Sequence, residues 1–549
     1  LKTLSVVMCL REYNHSNSIR QPMTSRLDAE TAAYRPKLDT RVFSISLIVL
    51  LIVSGLLIVW PAASADSAQS AMAWVTHHFG WAYLLTGILP LVFTGWLAFG
   101  PFGQVLLGTP GEPPEYSNVS WVAMMFTASM GASLIAWGFA EPIFYLATPP
   151  LGIEPNSAQA FEFAHMYPLF HWGFVPWAIY CLPAVPIAYM LFVRRTPSLK
   201  ISDSCVEALP TKGLDTYKTV LDIFVVLGVV GGVATSLGFG VPLVSSLAVK
   251  LLGVPDNLTT QIVVILVWTA IFGTSAYLGL KKGIKVLADI NLALMFFVMG
   301  FILILGPTIY ILSITTNSVG LMLDNFFRIS FWTDPIERGG FPEAWTIFYW
   351  AWWIAYAPMM GLFFARISRG RTIRQVVLGI IGLGTLGTFL FLSIAGAYVL
   401  YLEGSGLLDA SGIMSAQGMA PLVASVINAL PAPTFILTVV TVLSVIFYAT
   451  TFDSAAYILA SICTHDLPSD EEPAANNRVA WALGLGVMAI GLMVAGAGET
   501  IKAMSVVSSL PIIPIVFVMC YALYKRLNKD FPRLAKRETY SLEGQNSDG

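Results

Sequence analysis

The residues with the clearest chemical potential lie in one apolar segment that is crowded with indole rings. Trp345, Trp350, Trp352 and Trp353 fall close together there, and Tyr356 follows them. An indole face attracts cations and is the best aromatic surface for a quaternary ammonium group, which has no N–H to donate. Tryptophan also anchors helices at membrane interfaces. The rings cluster more tightly than such anchoring needs, so the segment favours a binding site for an organic cation.

Motifs for enzymatic chemistry are absent from the sequence. The chain has no phosphate-binding G-x-x-x-x-G-K-[ST], no H-E-x-x-H and no G-x-S-x-G. Its five cysteines lack metal or disulfide spacing, so we expect them to be ordinary packing residues. We therefore expect a protein that is not an enzyme and that uses no organic cofactor.

The composition indicates a membrane protein. Of the 549 residues, 56% are hydrophobic and only 11% are charged, and the mean hydropathy is +0.73. A soluble domain carries about 25% charged residues, more than twice as many. About twelve apolar runs have the ~20 residues that a spanning helix needs, so the lipid bilayer is an expected partner. The net charge of −2 gives no reason to expect nucleic acid.

Loop charges predict the orientation in the membrane. Lysine and arginine recur in alternate loops, at Arg194–Lys200, Lys281–Lys285 and Arg366–Arg374. The opposite loops Pro61–Gly80 and Glu403–Pro431 have neither. Because positive loops stay on the cytoplasmic side, both termini are expected in the cytoplasm of a multi-pass protein of the cell inner (plasma) membrane.

Two carboxylates fall inside apolar runs, where a charge is costly and usually functional. These are Glu141 and Asp453. They could orient a gate or an ion site, or they could make a local helix cap or packing hydrogen bond. The residue pattern leaves both readings open.

Four segments together resemble the betaine/choline/carnitine transporter family. They are the tryptophan-rich Trp345–Arg374, F-H-W-G-F-V-P-W-A-I-Y at Phe170–Tyr180, M-G-A-S-L-I-A-W-G-F-A-E-P at Met130–Pro142 and A-T-T-F-D-S at Ala449–Ser454. They occur in the family's order, and the resemblance covers roughly residues 40–525. Any one segment alone would be a weaker indication.

The resemblance implies an all-α membrane protein of about 12 spans. The fold would be of the leucine-transporter type, with a 5+5 inverted repeat behind two extra N-terminal helices. The implied organisation is a cytoplasmic segment at 1–40, two peripheral helices at 41–118, a first five-helix repeat at 119–315, an outer interfacial helix or loop at 316–343, a second repeat at 344–525 and a cytoplasmic tail at 526–549. Family members are typically homotrimers.

Glycine and proline predict that the first helix of each repeat is interrupted. Gly131 and Gly138 lie in the third span, and Pro358 and Gly361 lie in the eighth. Interrupted helices at matching places in two halves point to a binding site near the bilayer midplane.

The resemblance also implies where a quaternary ammonium substrate binds. Its aromatic box would consist of Trp172, Trp177, Tyr180 and Trp353. Trp352 and Tyr356 would line the inner part of the route. Backbone N–H groups around Met130–Ser133 would receive a substrate carboxylate, and Ser133 would influence selectivity because it replaces a glycine of the betaine-specific pattern.

Energy coupling has two readings. In sodium-coupled relatives, the ion binds at positions that match Thr127, Met130, Phe447, Thr450 and Thr451. Sodium-independent carnitine/γ-butyrobetaine antiporters carry instead an arginine at the position of Asn291 and a methionine at the position of Met360. We weight Asn291 more, because a missing fixed charge leaves room for a cation, and therefore prefer sodium as the coupling ion. No other metal is expected.

The substrate itself stays open among glycine betaine, choline, carnitine and γ-butyrobetaine, or a sulfonium analogue. A channel would need a continuous polar stripe and a membrane enzyme would need a paired nucleophile and base, and the sequence displays neither.

Overall fold

The structure is a computed structural model that describes residues 36–129, 131–196, 198–278, 281–468, 471–496 and 498–535. The predictions for Met130, for most of the head 1–40 and for the tail beyond 535 lie outside these residues. The helices of the first part are α1 (Thr40–Val59), α2 (Pro61–Phe99), α3 (Asn118–Ser129), α4 (Ala132–Ala147), α5 (Ala158–His171), α6 (Phe174–Ala188), α7 (Ile201–Cys205), α8 (Leu214–Leu252), α9 (Leu258–Leu278), α10 (Lys281–Leu305) and α11 (Thr308–Phe331).

The second part continues the helical architecture. Its helices are α12 (Ile347–Arg366), α13 (Ile373–Leu378), α14 (Gly384–Gly404), α15 (Ala410–Gln417), α16 (Met419–Asn428), α17 (Pro433–Ile462), α18 (Ala475–Ala495), α19 (Gly498–Ser509) and α20 (Ile512–Asp530). Short π-helical turns at Tyr189–Val193, Pro342–Thr346 and Gly379–Leu383 extend α6, precede α12 and join α13 to α14. Short 3₁₀ turns cover Pro101–Gln104 and Val206–Ala208.

Two very short antiparallel strand pairs connect distant parts of the chain. β1 (Lys37–Leu38) pairs with β4 (Thr464–His465), and β2 (Leu106–Leu107) pairs with β3 (Arg371–Thr372). The first pair ties the start of α1 to the end of α17. The second ties the loop after α2 to the loop after α12.

Eleven helices in the described part of the chain are long and apolar enough to cross a membrane, and one bent pair raises the number to as many as twelve. The prediction of an all-α membrane protein with about twelve spans is thereby confirmed. α11 begins eight residues before the predicted start of the outer segment at 316, because its apolar and polar residues keep a helical pattern from Thr308 onwards.

The spans differ sharply in how far the protein itself covers them. In the apolar windows of Ala158–Val193 and Pro342–Arg366, 89% of the residues are buried, against 28% in Thr40–Val59 and 17% in Leu258–Ser275. Spans that expose most of their apolar surface contact lipid. The two aromatic-rich spans, α5–α6 and α12, therefore form the centre of the molecule.

The third span is broken, as predicted. α3 and α4 meet at an angle of 50°, and Gly131 occupies the N-cap position of α4 in extended backbone. The first N–H groups of α4 consequently have no partner within the helix.

The predicted interruption of the eighth span is wrong. α12 runs without a break through Pro358 and Gly361, because transmembrane helices tolerate proline where neighbouring groups satisfy the freed backbone. Gly361 instead allows a close approach between two helices. A Cβ there would lie 2.7 Å from Cγ of Pro183 on α6, so the missing side chain permits close packing of α12 on α6.

Candidate functional site

The aromatic box begins at an unpredicted break in the fourth span. α5 ends at His171 and α6 begins at Phe174, so Trp172 and Gly173 lie between two helices. A continuous helix would bond the carbonyl of Trp172 to the N–H of residue 176, but Pro176 has none. That carbonyl instead accepts hydrogen bonds from Nε1 of Trp177 at 3.1 Å and from the hydroxyl of Thr388 at 2.7 Å.

The four predicted box residues do come together. Trp353 on α12 contacts the rings of Tyr180, Trp177 and Trp172, with centroid separations of 4.5, 5.4 and 5.5 Å. The pairs of Trp353 with Trp177 and with Trp172 are edge-to-face, with interplanar angles of 68° and 75°, an arrangement that aromatic rings prefer. Trp172, Tyr180 and Trp353 keep 6–8% of their surfaces accessible while Trp177 keeps 1%. All four rings are therefore buried, and Trp177 is the most deeply buried of them.

A glycine makes room for the innermost ring of the box. A Cβ on Gly384 would lie 2.3 Å from the indole of Trp177. The π-helical turn Gly379–Leu383 ends directly before this glycine. The start of α14 thus closes the box on the side of α6.

Trp352 and Tyr356 lie on the α8 side of α12. Nε1 of Trp352 donates to the carbonyl of Gly232 at 3.1 Å, and the hydroxyls of Tyr356 and Ser236 lie 2.7 Å apart. Trp352 also reaches the box, since its ring centroid is 6.0 Å from that of Trp172. Met360 is half-buried two helical turns beyond Trp353 on α12.

A buried polar network holds the box in place through Glu141. Its Oε2 accepts from Nε1 of Trp172 at 3.0 Å, and its Oε1 accepts from the hydroxyl of Tyr145 at 2.6 Å and lies 3.2 Å from Nδ1 of His171. Glu141 and His171 are completely buried. Of the two readings left open for Glu141, the geometry favours a structural hydrogen bond, but one that orients a ring of the box.

The predicted sodium ligands are brought together only in part. The hydroxyls of Thr450 and Thr451 donate to the carbonyl of Phe447 at 3.0 and 2.8 Å, so these three residues share one turn of α17. Thr127 on α3 donates to its own helix, to the carbonyl of Ala123 at 2.7 Å. Met130 lies outside the described residues. Hydrogen bonds between Thr127 and α17 do not occur within the described ranges.

Asn291 and Ser133 lie in buried positions. Asn291 on α10 is 1% exposed, and neither its side-chain oxygen nor its nitrogen has a partner in the part of the chain that is described. α10 packs against α17, the helix of Thr450 and Thr451. Ser133 is the second residue of α4 and is 9% exposed. Groups of three or more His, Cys, Asp or Glu side chains suited to a metal do not occur among the described residues.

Several rings around the box were not predicted as site residues. Trp137 on α4 lies one turn after Ser133 and contacts Trp352 and Tyr349, with centroid distances of 6.3 and 5.8 Å. Its position within the segment Met130–Pro142 was the available signal. Trp350, in contrast, is a packing residue: its indole fits against α2, where a Cβ on Gly87 would lie 2.7 Å from Nε1.

These features define a helical membrane protein of many spans, with one broken span and a buried aromatic box between its central helices. The model of the family described as BCCT, betaine/carnitine/choline family transporter, matches residues 41–532. The chain therefore belongs to this family, whose members are transporters rather than enzymes, and the resemblance found in the sequence is confirmed.

Proposed function

We propose that the chain imports a quaternary ammonium compound of the glycine betaine, choline or carnitine type across the plasma membrane, by sodium symport with alternating access. The observation that carries the proposal is the aromatic box of Trp172, Trp177, Tyr180 and Trp353. Each ring face contributes about 0.5–2 kcal/mol to binding a cation, depending on desolvation. A box of several faces supplies a site for a group that cannot form hydrogen bonds.

The broken third span supplies a complement for a substrate carboxylate. The N–H groups at the very start of α4, and the positive end of its dipole, favour an anion beside Ser133. Trp137 connects this turn with Trp352, and Trp352 contacts the box. A zwitterion would thus present its ammonium group to the rings and its carboxylate to the helix.

Sodium coupling is supported by the oxygen atoms on α17. The Thr450 and Thr451 hydroxyls donate within their helix, which leaves their oxygen lone pairs available to a small cation together with Thr127, Phe447 and Met130. Asn291 adds a buried amide oxygen without a partner among the described residues. A fixed positive charge at that position would make the ion unnecessary.

Uptake into proteoliposomes tests the coupling. We expect initial uptake of labelled substrate in sodium buffer and little in sodium-free potassium buffer. Thr450→Ala/Thr451→Ala should lose the sodium dependence, because a dehydrated ion needs oxygen ligands to replace its water. Asn291→Arg should give partial sodium-independent exchange, while Asn291→Gln is the uncharged control.

The second candidate function is sodium-independent substrate:product exchange, which Met360 favours because it matches a substrate-contacting methionine of the antiporters. Equal uptake by the unmodified protein in both buffers, together with counterflow of labelled substrate, would support exchange and reject symport.

We also propose a homotrimer with a 5+5 inverted repeat and cytoplasmic termini, as the family resemblance implies. Native mass determination in detergent tests the trimer, and the accessibility of single cysteines introduced in the loops tests the orientation.

A further inference from the structure

A lysine ammonium lies against aromatic rings at one end of the central helix. Nζ of Lys502 on α19 is 4.2 Å from the ring centroid of Trp345 and 5.5 Å from that of Phe348. The lysine is only 7% exposed. Its counter-ion is Glu499, one turn earlier, with Oε1 at 3.1 Å. The protein thus places its own cation on an indole face.

The same rings lead to the aromatic box. Trp345 and Phe348 both contact Trp137, with centroids 6.1 Å away in each case. Phe348 stacks on Trp352 at 5.7 Å, and Trp352 contacts Trp172 of the box at 6.0 Å. We call the series Trp345, Phe348, Trp352 and Trp172 the ring series. Phe348 and Trp352 are four residues apart on α12 and so share one face of the helix, and Trp345 lies in the π-helical turn that leads into it.

The charge at the end of the ring series is incompletely neutralised. The side chain of Glu499 is 56% exposed and the side chain of Lys502 only 9%, so water screens the carboxylate more than it screens the ammonium group. Charges in such surroundings act over longer distances than in water. An arriving cation meets repulsion from Lys502, whereas an arriving carboxylate meets attraction.

We propose that Lys502 is a specificity-determining residue that favours zwitterionic quaternary ammonium substrates over purely cationic ones. The proposal rests on the proposed function, since it concerns how this carrier discriminates among its substrates. A lysine ammonium and a trimethylammonium group use the same property of an indole face. Lys502 therefore acts as a tethered cation near the start of α12. The loop charges predict that this end of α12 faces outwards. Repulsion of a purely cationic ligand there provides selectivity.

The test compares the affinities of the purified full-length protein for glycine betaine and choline, which both carry a trimethylammonium group but differ in the carboxylate. In Lys502→Met, the ratio of the affinity for choline to the affinity for glycine betaine should rise by about fivefold or more, because a charge is removed from a poorly screened position. Lys502→Arg keeps the charge and should keep the ratio. Lys525→Met removes another ring-contacting lysine, at 5.6 Å from Tyr521, and serves as the matched control.

Glu499→Gln provides an independent and opposite test on an exposed residue, whose replacement does not threaten folding. It frees the charge of Lys502 from its counter-ion, so the ratio should move towards glycine betaine. If Lys502→Met does not fold, this variant decides the matter. An unchanged affinity ratio in Lys502→Met would overturn the inference. If that variant does not fold, an unchanged ratio in Glu499→Gln would overturn it. Equal shifts in Lys502→Met and Lys502→Arg would overturn it as well. Failure of the unmodified protein to bind any quaternary ammonium compound would instead reject the proposed function itself.

Discussion

Several indole rings at the site are held by their N–H edges, which leaves their faces for other contacts. Nε1 of Trp172 donates to Glu141, Nε1 of Trp177 donates to the carbonyl of Trp172, and Nε1 of Trp352 donates to the carbonyl of Gly232. A hydrogen bond at the edge fixes the plane of a ring without covering its face. The orientation of the box is therefore set before a ligand binds, which reduces the entropy that binding must offset.

At the residue scale we predict that Trp353→Leu weakens substrate binding by about 1–2 kcal/mol or more, through loss of cation–π attraction. Leucine restores much of the volume but has no ring quadrupole. Trp353→Tyr keeps a ring and should lose less affinity. Isothermal titration with glycine betaine measures both. An unchanged affinity in Trp353→Leu would contradict the assignment of the aromatic box.

At the element scale, the box depends on close contact between α6 and α12. Gly361 allows α12 to lie against Pro183, and Gly384 allows α14 to close over Trp177. Proline contributes differently, because Pro176 frees the carbonyl that holds the ring of Trp177. Small residues and prolines thus position the rings of the box.

We predict that Gly361→Ala destabilises the protein by about 1–3 kcal/mol, because an extra methyl group in a packed interior forces neighbours apart. The separation of α12 from α6 should also lower substrate affinity. Gly55→Ala is the control, since a Cβ at Gly55 on α1 would meet nothing within 4 Å. Thermal denaturation of both variants in detergent is the measurement. Equal melting temperatures for the two variants would refute the role given to Gly361.

The sequence predicted the membrane helices well, because apolar runs of spanning length are a local signal. The four box residues came from the family resemblance. The structure brings their rings into contact, and their role in binding stays a prediction. The sequence also predicted the break before α4, where Gly131 marks the helix start. It failed at Gly361, since a glycine permits both a helix break and a close approach, and only the neighbour Pro183 decides between them. The break at Trp172 was missed because a long apolar run contains no residue that marks a helix end. Pro176 lacks the N–H that would bond the carbonyl of Trp172, so its effect on the helix appears four residues earlier in the chain.

At the scale of the whole molecule, a buried ion cluster joins parts of the chain that are far apart in sequence. Lys200, in the loop after α6, binds Asp39 at the start of α1 and lies 3.5 Å from Asp222 on α8. Ser202 also donates to Asp222, at 2.9 Å through its hydroxyl. The cluster lies beside the β1–β4 pair, since the N–H of Asp39 donates to the carbonyl of Cys463 at 2.8 Å.

The charges of this cluster predict a pH dependence. Burial by itself would raise the pKa of Asp39, but the hydrogen bond and charge of Lys200 outweigh it and hold that pKa below its ordinary 3.8. Because the pKa of Asp39 is lower in the folded state than in the unfolded state, its charge stabilises the fold at every pH above the unfolded-state pKa. This stabilisation disappears as the pH falls through the folded-state pKa. The pKa of Lys200 is raised above 10.5: burial opposes this, but Asp222 and Asp39 prevail. Its contribution is therefore lost only in strong alkali.

We predict that Asp39→Asn lowers the free energy of unfolding by about 1–3 kcal/mol at neutral pH, since it removes a charged hydrogen-bond partner from a buried lysine. His465 also faces Asp39, with Nε2 at 3.6 Å from Oδ2, so the comparison is made between neutral pH and acid. The difference from the unmodified protein should shrink below about pH 4, where Asp39 of the unmodified protein takes up its proton. Chemical denaturation in detergent across this range measures it. A difference as large at pH 3 as at pH 7 would show that Asp39 acts by shape rather than by charge.

The β1–β4 pair links the first span to α17. β4 directly follows α17, which carries Thr450 and Thr451, and β1 directly precedes α1. A tilt of α17 must therefore pull α1 along or break this pair. Only 28% of the residues in the apolar window of α1 are buried in the protein, so a moving α1 drags through lipid. If α17 tilts during transport, the turnover rate therefore carries a frictional component set by the viscosity of the surrounding bilayer.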